Sequence, residues 1–230
     1  MCECDFIMKY RAIIFDWDGT LVDSTDRIVE SMQLAAKDFQ LPWRSAFEVK
    51  QIIGLGLPEA IVELWAELAD DADALEGMRT RYNVHFVAPE RSDVAFFEFA
   101  REMLKSLKAS GVLLAVATGK SRSGLDRAFA ELDVNGVFHD SRCADETRSK
   151  PSPLMLQELS VSLGVEPEAM LMVGDTQFDL NMAHAAAVDV IAIGHGAHDE
   201  SKLLECNPLA MVRNLPELYS WIKNSGSVEK

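Results

Sequence analysis

Four short apolar runs punctuate the chain: Ala12-Ile13-Ile14-Phe15, Val112-Leu113-Leu114-Ala115-Val116-Ala117, residues 169–173 and Val190-Ile191-Ala192-Ile193. Runs this short, bounded by polar or glycine positions and without polar alternation, predict strands buried on both faces. The first is expected over residues 10–15. Behind it the pattern becomes helical. Ile28, Met32, Ala35 and Phe39 fall on one face of a helix that Asp23 or Ser24 could cap, and Leu41-Pro42 ends it. Ser45 predicts the cap of a short helix through Ile52-Ile53, broken by Gly54-Leu55-Gly56. Pro58 suits the first position of a helix carrying Ala60, Ile61, Leu64, Trp65 and Leu68. The acids Asp70, Asp71 and Asp73 start another, with Leu75, Met78, Tyr82 and Phe86 on its apolar face and Pro89 closing it. Residues 23–90 therefore predict a helical block without a strand.

Helices and strands then alternate. A helix over residues 96–110 closes at Gly111. The second apolar run stops at Thr118-Gly119-Lys120, and Ser121 caps a helix carrying Leu125, Ala128, Phe129 and Leu132. Val137-Phe138 opens a weak strand that runs into the polar loop 145–149 and Lys150-Pro151. Ser152-Pro153 reads as a cap followed by a first helical residue, ahead of Leu156, Leu159 and Leu163. The third run ends at Gly174-Asp175. A helix over residues 178–187 follows it, then the fourth run, a helix over 200–204, a short strand near Met211-Val212 and a helix over 216–222. Such alternation implies an α/β fold, a doubly wound, Rossmann-like parallel sheet with helices on both faces. The expected division is a core of residues 9–22 and 92–225 with an inserted α-helical cap domain of residues 23–91, and an active site in the cleft between them. Residues 1–8 are expected to be loosely ordered.

Composition narrows the function. The 230 residues are 48% hydrophobic and 26% charged, ordinary for a folded protein. With 37 acidic against 22 basic residues the formal charge is -15, which argues against nucleic acid as a partner. An acidic exterior also repels phosphorylated molecules, so any anion site needs its own local cation. Cys2, Cys4, Cys143 and Cys206 have no zinc-ligand pairing, and reduced thiols are expected. No signal-peptide pattern and no membrane-spanning apolar run is present, so a cytoplasmic protein without membrane contact is expected.

The first run ends in Asp16-Trp17-Asp18-Gly19-Thr20. Asp is a poor strand residue, and two acids at one strand end repel each other unless a cation lies between them. Alone, the five residues fit a strand followed by an Asp-Gly turn as well as they fit a cation site. Other strand ends tip the balance. Thr118 offers a hydroxyl and the amide after it, Lys150 an ammonium, and Asp175 another carboxylate, with Asp179 one helical turn on. Ligands bind at the carboxyl edge of such sheets. Acids, a lysine, a threonine and backbone amides gathered there suit metal-assisted phosphoryl transfer.

In this order, Asp16-x-Asp18-Gly19-Thr20, Thr118, Lys150-Pro151 and Gly174-Asp175-x-x-x-Asp179 resemble the four motifs of the haloacid dehalogenase-like hydrolases. The helical block resembles their small helical cap, and the likeness spans about residues 10–223. The resemblance implies that Asp16 attacks phosphorus to give an aspartyl-phosphate, and that Asp18 protonates the leaving alkoxide and later takes a proton from water. It implies Mg2+ held by the Asp16 carboxylate, the Asp18 main-chain carbonyl and Asp175, with Asp179 orienting that shell. Thr118, the Gly119 amide, the amides of Trp17 and Asp18, and Lys150 would hold the transferring group.

An acid at position 18 with a full fourth motif is similar to the phosphate-ester branch of the family, and Gly54-Leu55-Gly56 with Gly174-Asp175-Thr176 resembles its phosphoglycolate phosphatase members. The expectation is a Mg2+-dependent phosphatase acting on a small phosphorylated metabolite, 2-phosphoglycolate among the candidates. The alternatives are a phosphomutase of the β-phosphoglucomutase type and a non-catalytic binding protein. Trp17 is expected to matter through its backbone, Gly54 and Gly56 as a loop break, Arg122 and Arg148 as surface groups, and His184, His195 and His198 as helix-face or loop residues. Similar proteins have glycine near position 187, where this chain has Ala185-Ala186-Ala187. A left-handed residue there would be strained.

Overall fold

The computed structural model describes residues 9–88 and 94–225. The strands are β1 (Ala12–Phe15), β2 (Val22–Asp23), β3 (Ala95–Phe96), β4 (Leu113–Thr118), β5 (Asp140–Cys143), β6 (Met170–Gly174), β7 (Asp189–Ile193) and β8 (Ala210–Val212). The helices are α1 (Thr25–Asp38), α2 (Ala46–Lys50), α3 (Leu57–Leu64), α4 (Ala72–Phe86), α5 (Ala100–Ala109), α6 (Arg122–Glu131), α7 (Leu154–Leu163), α8 (Gln177–Ala185), α9 (Glu200–Glu205) and α10 (Leu215–Ser225).

Six strands form one parallel sheet in the order β5-β4-β1-β6-β7-β8. The apolar runs supply four of them and take its middle, where both faces are covered. Successive side chains alternate faces. Ile13, Phe15, Leu114, Val116, Leu171 and Val173 therefore face a core closed by α5 and α10. Ala12, Ile14, Ala115, Ala117, Met170 and Met172 face a second core closed by α7 and α8. Each fully buried Leu, Ile, Val or Met contributes about 1.5–3 kcal/mol relative to exposure, so a polar residue inside any of these runs would be heavily destabilising. The register sets Phe15 opposite Val116 on one side and Val173 on the other. The strands consequently run out at one level, and the residues that follow them share one edge.

The helical block has its own apolar cluster. Val29, Met32, Ile61, Leu64, Trp65 and Met78 pack together, apart from the two sheet cores. The expected caps on α2 and α4 are present: Ser45 and Glu48 form a reciprocal capping box, and Asp71 accepts from the Ala74 N–H at 2.9 Å. Ser121 likewise caps α6.

Several boundaries differ from the sequence reading. The two ends of the block meet in a two-stranded antiparallel ribbon, Val22 opposite Phe96 and Asp23 opposite Ala95. The helix expected from residue 96 starts at Ala100 because Phe96 is taken by this ribbon and Phe99 adopts a left-handed φ of 70°. The weak strand expected at Val137-Phe138 lies instead at β5, a sheet edge where Ser141 and Cys143 are buried and Asp140 and Arg142 are not. Its polar side chains are satisfied by Arg142–Glu158 and Arg142–Asp140 contacts at 2.8 and 2.9 Å, so no apolar run marks it. Ser24 takes the N-cap position of α1, but its side chain makes no capping bond. Pro153 takes the cap position expected for Ser152, whose Oγ accepts from the Leu154 N–H. Residues 1–8, Cys2, Cys4 and Pro89 lie outside the described residues.

Ala187 has φ of 55° after α8, the strained turn its sequence position suggested. A left-handed alanine costs about 1–2 kcal/mol, against about 0.5–1 kcal/mol for the greater entropy glycine loses on folding. Ala187→Gly is expected to stabilise the protein by up to about 1 kcal/mol, read as a higher urea midpoint. An equal or lower midpoint would contradict the strain.

Candidate active site

β1 ends in two carboxylates that the fold treats differently. Asp16 is buried and accepts from Lys150 Nζ at 2.6 Å. Between it and Asp18 the chain turns so that the Trp17 ring leaves the cleft and enters the core, against Phe96, Phe129 and Phe138 at centroid distances of 5.8, 5.1 and 6.0 Å. Each such aromatic pair adds about 0.5–1.5 kcal/mol beyond its burial, so the ring anchors the turn in the core. Asp18 Oδ1 accepts from Ser24 Oγ at 2.5 Å, and its Oδ2 lies 3.0 Å from Lys120 Nζ. Gly19 closes the turn with φ of 84°, and a Cβ there would collide with the Asp175 carboxylate. Only glycine meets both conditions.

The motif after β6 faces this turn. Asp175 Oδ1 accepts from Thr20 Oγ1 at 2.6 Å and Oδ2 from the Ala197 N–H at 2.7 Å. Asp179 is the third residue of α8; its Oδ2 accepts from Thr176 Oγ1 at 2.6 Å and from the Thr176 N–H at 3.1 Å, in a reciprocal capping box. Its other oxygen accepts from Lys150 Nζ at 2.6 Å. Lys150 thus bridges a carboxylate at the end of β1 and one in the first turn of α8, and all three groups are buried.

Asp16, Asp175 and Asp179 each bring an oxygen within 4.8 Å of the others. Three buried carboxylates against one ammonium leave a charge deficit that a divalent cation with oxygen ligands would neutralise. The donor set therefore fits such an ion. The Asp18 carboxylate stands outside this group, turned to Ser24 and Lys120.

Electrostatics reflect the crowding. Burial pushes the Asp16 carboxyl well above its usual range; Lys150 opposes this, and Asp179 and Asp175 add to it. Burial, then the Asp179 charge, raise Asp175 to about 7. Burial alone would lower the Lys150 pKa, but Asp16 and Asp179 outweigh it and drive it up, so the ammonium stays charged.

Thr118 and Gly119 reach the same edge from β4. Thr118 is buried, and its Oγ1 accepts from the Lys120 N–H at 3.2 Å. Gly119 lies so close to the Gly54 and Leu55 carbonyls that a Cβ would overlap both. Gly54-Leu55-Gly56 is thus more than a helix break: it packs on the strand-end loop, and Ser149 Oγ accepts from the Gly56 N–H at 2.7 Å. A cavity of about 160 Å³ between block and sheet edge is lined by Asp16, Asp18, Thr118 and Gly119.

Of the site residues expected from sequence, Asp16, Asp18, Thr118 and Gly119 thus line one cavity, Lys150, Asp175 and Asp179 gather against Asp16, and Trp17 turns its ring into the core. The sequence reading assigns Ser24, Thr20, Thr176 and Lys120 no role in the site, although Lys120 sits two residues past a strand end and Thr176-x-x-Asp179 has capping-box spacing. His195 and His198, expected as helix-face or loop residues, both brace the site. His195 Nε2 lies 3.0 Å from the Thr20 carbonyl, and its ring stacks on Phe97. His198 Nδ1 accepts from the Gln177 N–H, and its Nε2 lies 3.2 Å from the Gln51 carbonyl. Arg122 stays away from the cleft, held by Glu146 at 2.9 and 2.7 Å.

A family model described as haloacid dehalogenase-like hydrolase matches residues 13–193. A phosphoglycolate phosphatase of Rhodospirillum rubrum is 30% identical over 220 residues, covering 92% of this chain and 90% of that protein. A phosphoglycolate phosphatase of Haemophilus influenzae is 28% identical over 219 residues, with 92% and 98% coverage. The crystal structure of a predicted phosphoglycolate phosphatase from Haemophilus somnus superposes with a TM-score of 0.82 at 24% identity, covering 94% of this chain and 99% of that one, and shows the same fold.

The raised Asp175 pKa has a thermodynamic consequence. Its folded value, about 7, exceeds that of an unfolded carboxyl. The folded state therefore binds more protons, and the stabilisation is complete below about pH 4 and lost as pH rises through about 7. In metal-free protein, the stability of wild type relative to Asp175→Asn is expected to fall across that window. A divalent cation taken up by the three carboxylates would restore stability at pH 7.5 to wild type more than to the variant, by about 2.7 kcal/mol at a hundredfold excess over Kd. Parallel pH profiles of the two proteins in urea would refute the assignment.

Proposed function

Because the chain belongs to the haloacid dehalogenase-like hydrolases, we propose that it is a Mg2+-dependent phosphatase that hydrolyses a small phosphate monoester through an aspartyl-phosphate on Asp16. The relatives named phosphoglycolate phosphatase, aligned over nearly the whole chain, make 2-phosphoglycolate the first substrate to try. The observation that carries the reading is the buried Lys150 ammonium between Asp16 and Asp179, with Asp16 also open to the cavity. Lys150 opposes the burial that raises the Asp16 pKa and fixes its carboxyl beside whatever the cleft admits.

In this reading the transferring phosphoryl group sits against Thr118 Oγ1, the amides of Gly119, Trp17 and Asp18, and Lys150 Nζ. These donors balance charge that builds on the phosphoryl oxygens. An Asp16 oxygen attacks phosphorus in line with the ester oxygen. The P–O(ester) bond breaks, and the alkoxide takes a proton from the Asp18 carboxyl. Asp18, then ionised, removes a proton from water, whose oxygen attacks the same phosphorus and returns Asp16 as carboxylate. Mg2+, held by Asp16, Asp175, the Asp18 main-chain carbonyl and the Asp179-oriented shell, would offset the charge of the bound phosphate. Ser24 and Lys120 set the position from which Asp18 works.

The chain divides into a catalytic core, residues 9–22 and 92–225, and a cap, residues 23–91, that closes over the cleft and excludes water. The ribbon of β2 and β3 is the crossing point between them, the natural place for hinge rotation. Among the described residues no helix is long and apolar enough to cross a membrane. The proposed setting is the cytoplasm, with a small phosphorylated metabolite as partner and no nucleic acid, consistent with the charge of -15.

The test is phosphate release with Mg2+ across a panel of 2-phosphoglycolate, sugar phosphates and nucleotides. Asp16→Asn is expected to lose activity by about 10⁴-fold or more with its circular dichroism unchanged. Asp18→Asn should lose about 10²–10⁴-fold. Substantial turnover by Asp16→Asn would remove the nucleophile assignment. Isomerisation of a hexose phosphate without phosphate release would show the mutase alternative, and silence on every ester the binding protein.

A further inference from the structure

Helix α4 forms the wall of the cavity facing the catalytic residues. Arg79, Tyr82, Asn83 and Phe86, at spacings of three, four and seven, all line it, together with Asp16 and Asp18. That spacing is one face of a helix. Across from it, Lys120 spans the gap: its ammonium is 3.0 Å from Asp18 Oδ2 and 4.6 Å from the centre of the Phe86 ring. In a chain of net charge -15, the cavity wall nevertheless holds Lys120, Arg79 and Arg127.

Arg79 is the one of these with a buried donor left over among the described residues. Its Nη1 donates to Glu76 Oε2 at 2.5 Å, whereas its Nε–H is buried and has no hydrogen-bond partner among the described residues. A buried charged donor without an acceptor is costly and persists where a ligand supplies the acceptor. The Nε edge of a guanidinium, shared with Nη2, matches the paired oxygens of a carboxylate or phosphate. The acids on the same wall do not fill this need. Asp145 accepts from the Arg122 N–H, and Glu59 sits in the first turn of α3, where the helix dipole favours it. Burial and then Asp18 push the Tyr82 phenol pKa up, so Tyr82 adds a neutral donor beside Arg79.

We propose that Arg79 and Lys120 form a second anion subsite at the leaving-group end of the cleft, so that the preferred substrates are small phosphate esters whose leaving group carries a carboxylate or a second phosphate. The proposal rests on the phosphatase reading and narrows it. The cavity of about 160 Å³ keeps the two charged ends of the substrate close together. Arg79 belongs to the cap segment and Lys120 to the core, so a doubly anionic ligand ties the two together, whereas a neutral ester contacts the phosphoryl side alone.

The experiment compares wild type with Arg79→Met and Arg79→Lys on 2-phosphoglycolate, ethyl phosphate of similar size without the carboxylate, and inorganic pyrophosphate, whose leaving group is a phosphate. Wild type is expected to favour at least one anionic leaving group over ethyl phosphate in kcat/KM, and the choice between them identifies the anion. Arg79→Met should cut that preference by about 10–100-fold, the worth of one charge-assisted hydrogen bond, mainly through KM. Arg79→Lys, which keeps the charge but not the fork, should fall between. Calorimetric titration separates this idea from the phosphatase reading. 3-Phosphonopropionate, the uncleavable analogue of 2-phosphoglycolate, should bind wild type at least tenfold tighter than propylphosphonate, and Arg79→Met should abolish the difference. Methylenediphosphonate against methylphosphonate gives the same comparison for a second phosphate. Equal binding within both pairs by wild type, or a preference left intact in Arg79→Met, would overturn the subsite whether or not any ester is hydrolysed.

Discussion

One buried ammonium holds the catalytic edge together. Lys150 has no exposed side-chain surface and touches two equally buried carboxylates, Asp16 at the end of β1 and Asp179 at the start of α8. Removing a charge from water costs several kcal/mol even after the protein relaxes, and the burial holds only because each partner offsets the others. Asp179 is fixed in turn by Thr176 through the α8 capping box, and Asp175 by Thr20 and the Ala197 N–H. The network reaches from β1 to the loop after β7. It leaves three carboxylates against one ammonium, a surplus of negative charge that makes the place receptive to a cation and then to the phosphate a cation attracts.

That arrangement also explains how an acidic protein can take an acidic substrate. The long-range field repels phosphate esters, so recognition rests on cations shielded inside the cleft, where the effective dielectric is lower and each charge acts more strongly. In the proposed reaction Lys150 serves the end where phosphorus would sit. Lys120 and Arg79 serve the opposite end, one on the core and one on the helical block. Asp18 lies between them, with one oxygen bound to Ser24 at the root of α1 and the other near Lys120. Its position is thus tied to both parts of the chain, so movement of the block reaches the residue proposed to handle the proton.

Much of this was legible in the linear chain. The apolar runs ending in Asp16, Thr118 and Gly174-Asp175 announced a parallel sheet with its chemistry at one edge, because a strand covered on both faces leaves no room for polar residues until it emerges. Most motif residues could be named because they sit at a strand end or helix start; Lys150, in a turn ahead of α7, could be named from its place in the order of the resembled motifs. The helical block was readable from its 3.6-residue period, and the strain at Ala187 from the absence of glycine in a turn that needs it.

What the sequence could not supply were pairings between distant segments. The ribbon of β2 and β3 has two residues per strand, too short for any period, and exists because residues 22–23 and 95–96 meet. Strand β5 is polar because an edge needs only one buried face and its charges find Glu158 and Asp140 in space. Ser24 looked like a helix cap and became a partner of Asp18. His198 joins Gln177 to Gln51, and Gly119 must be small because Gly54 and Leu55 lie against it. Local spacing by itself determined the elements and the chemical groups at their ends. Tertiary structure alone decided which groups share a charge, since a hydrogen bond or an ion pair depends on distance in space and the chain encodes only distance along itself.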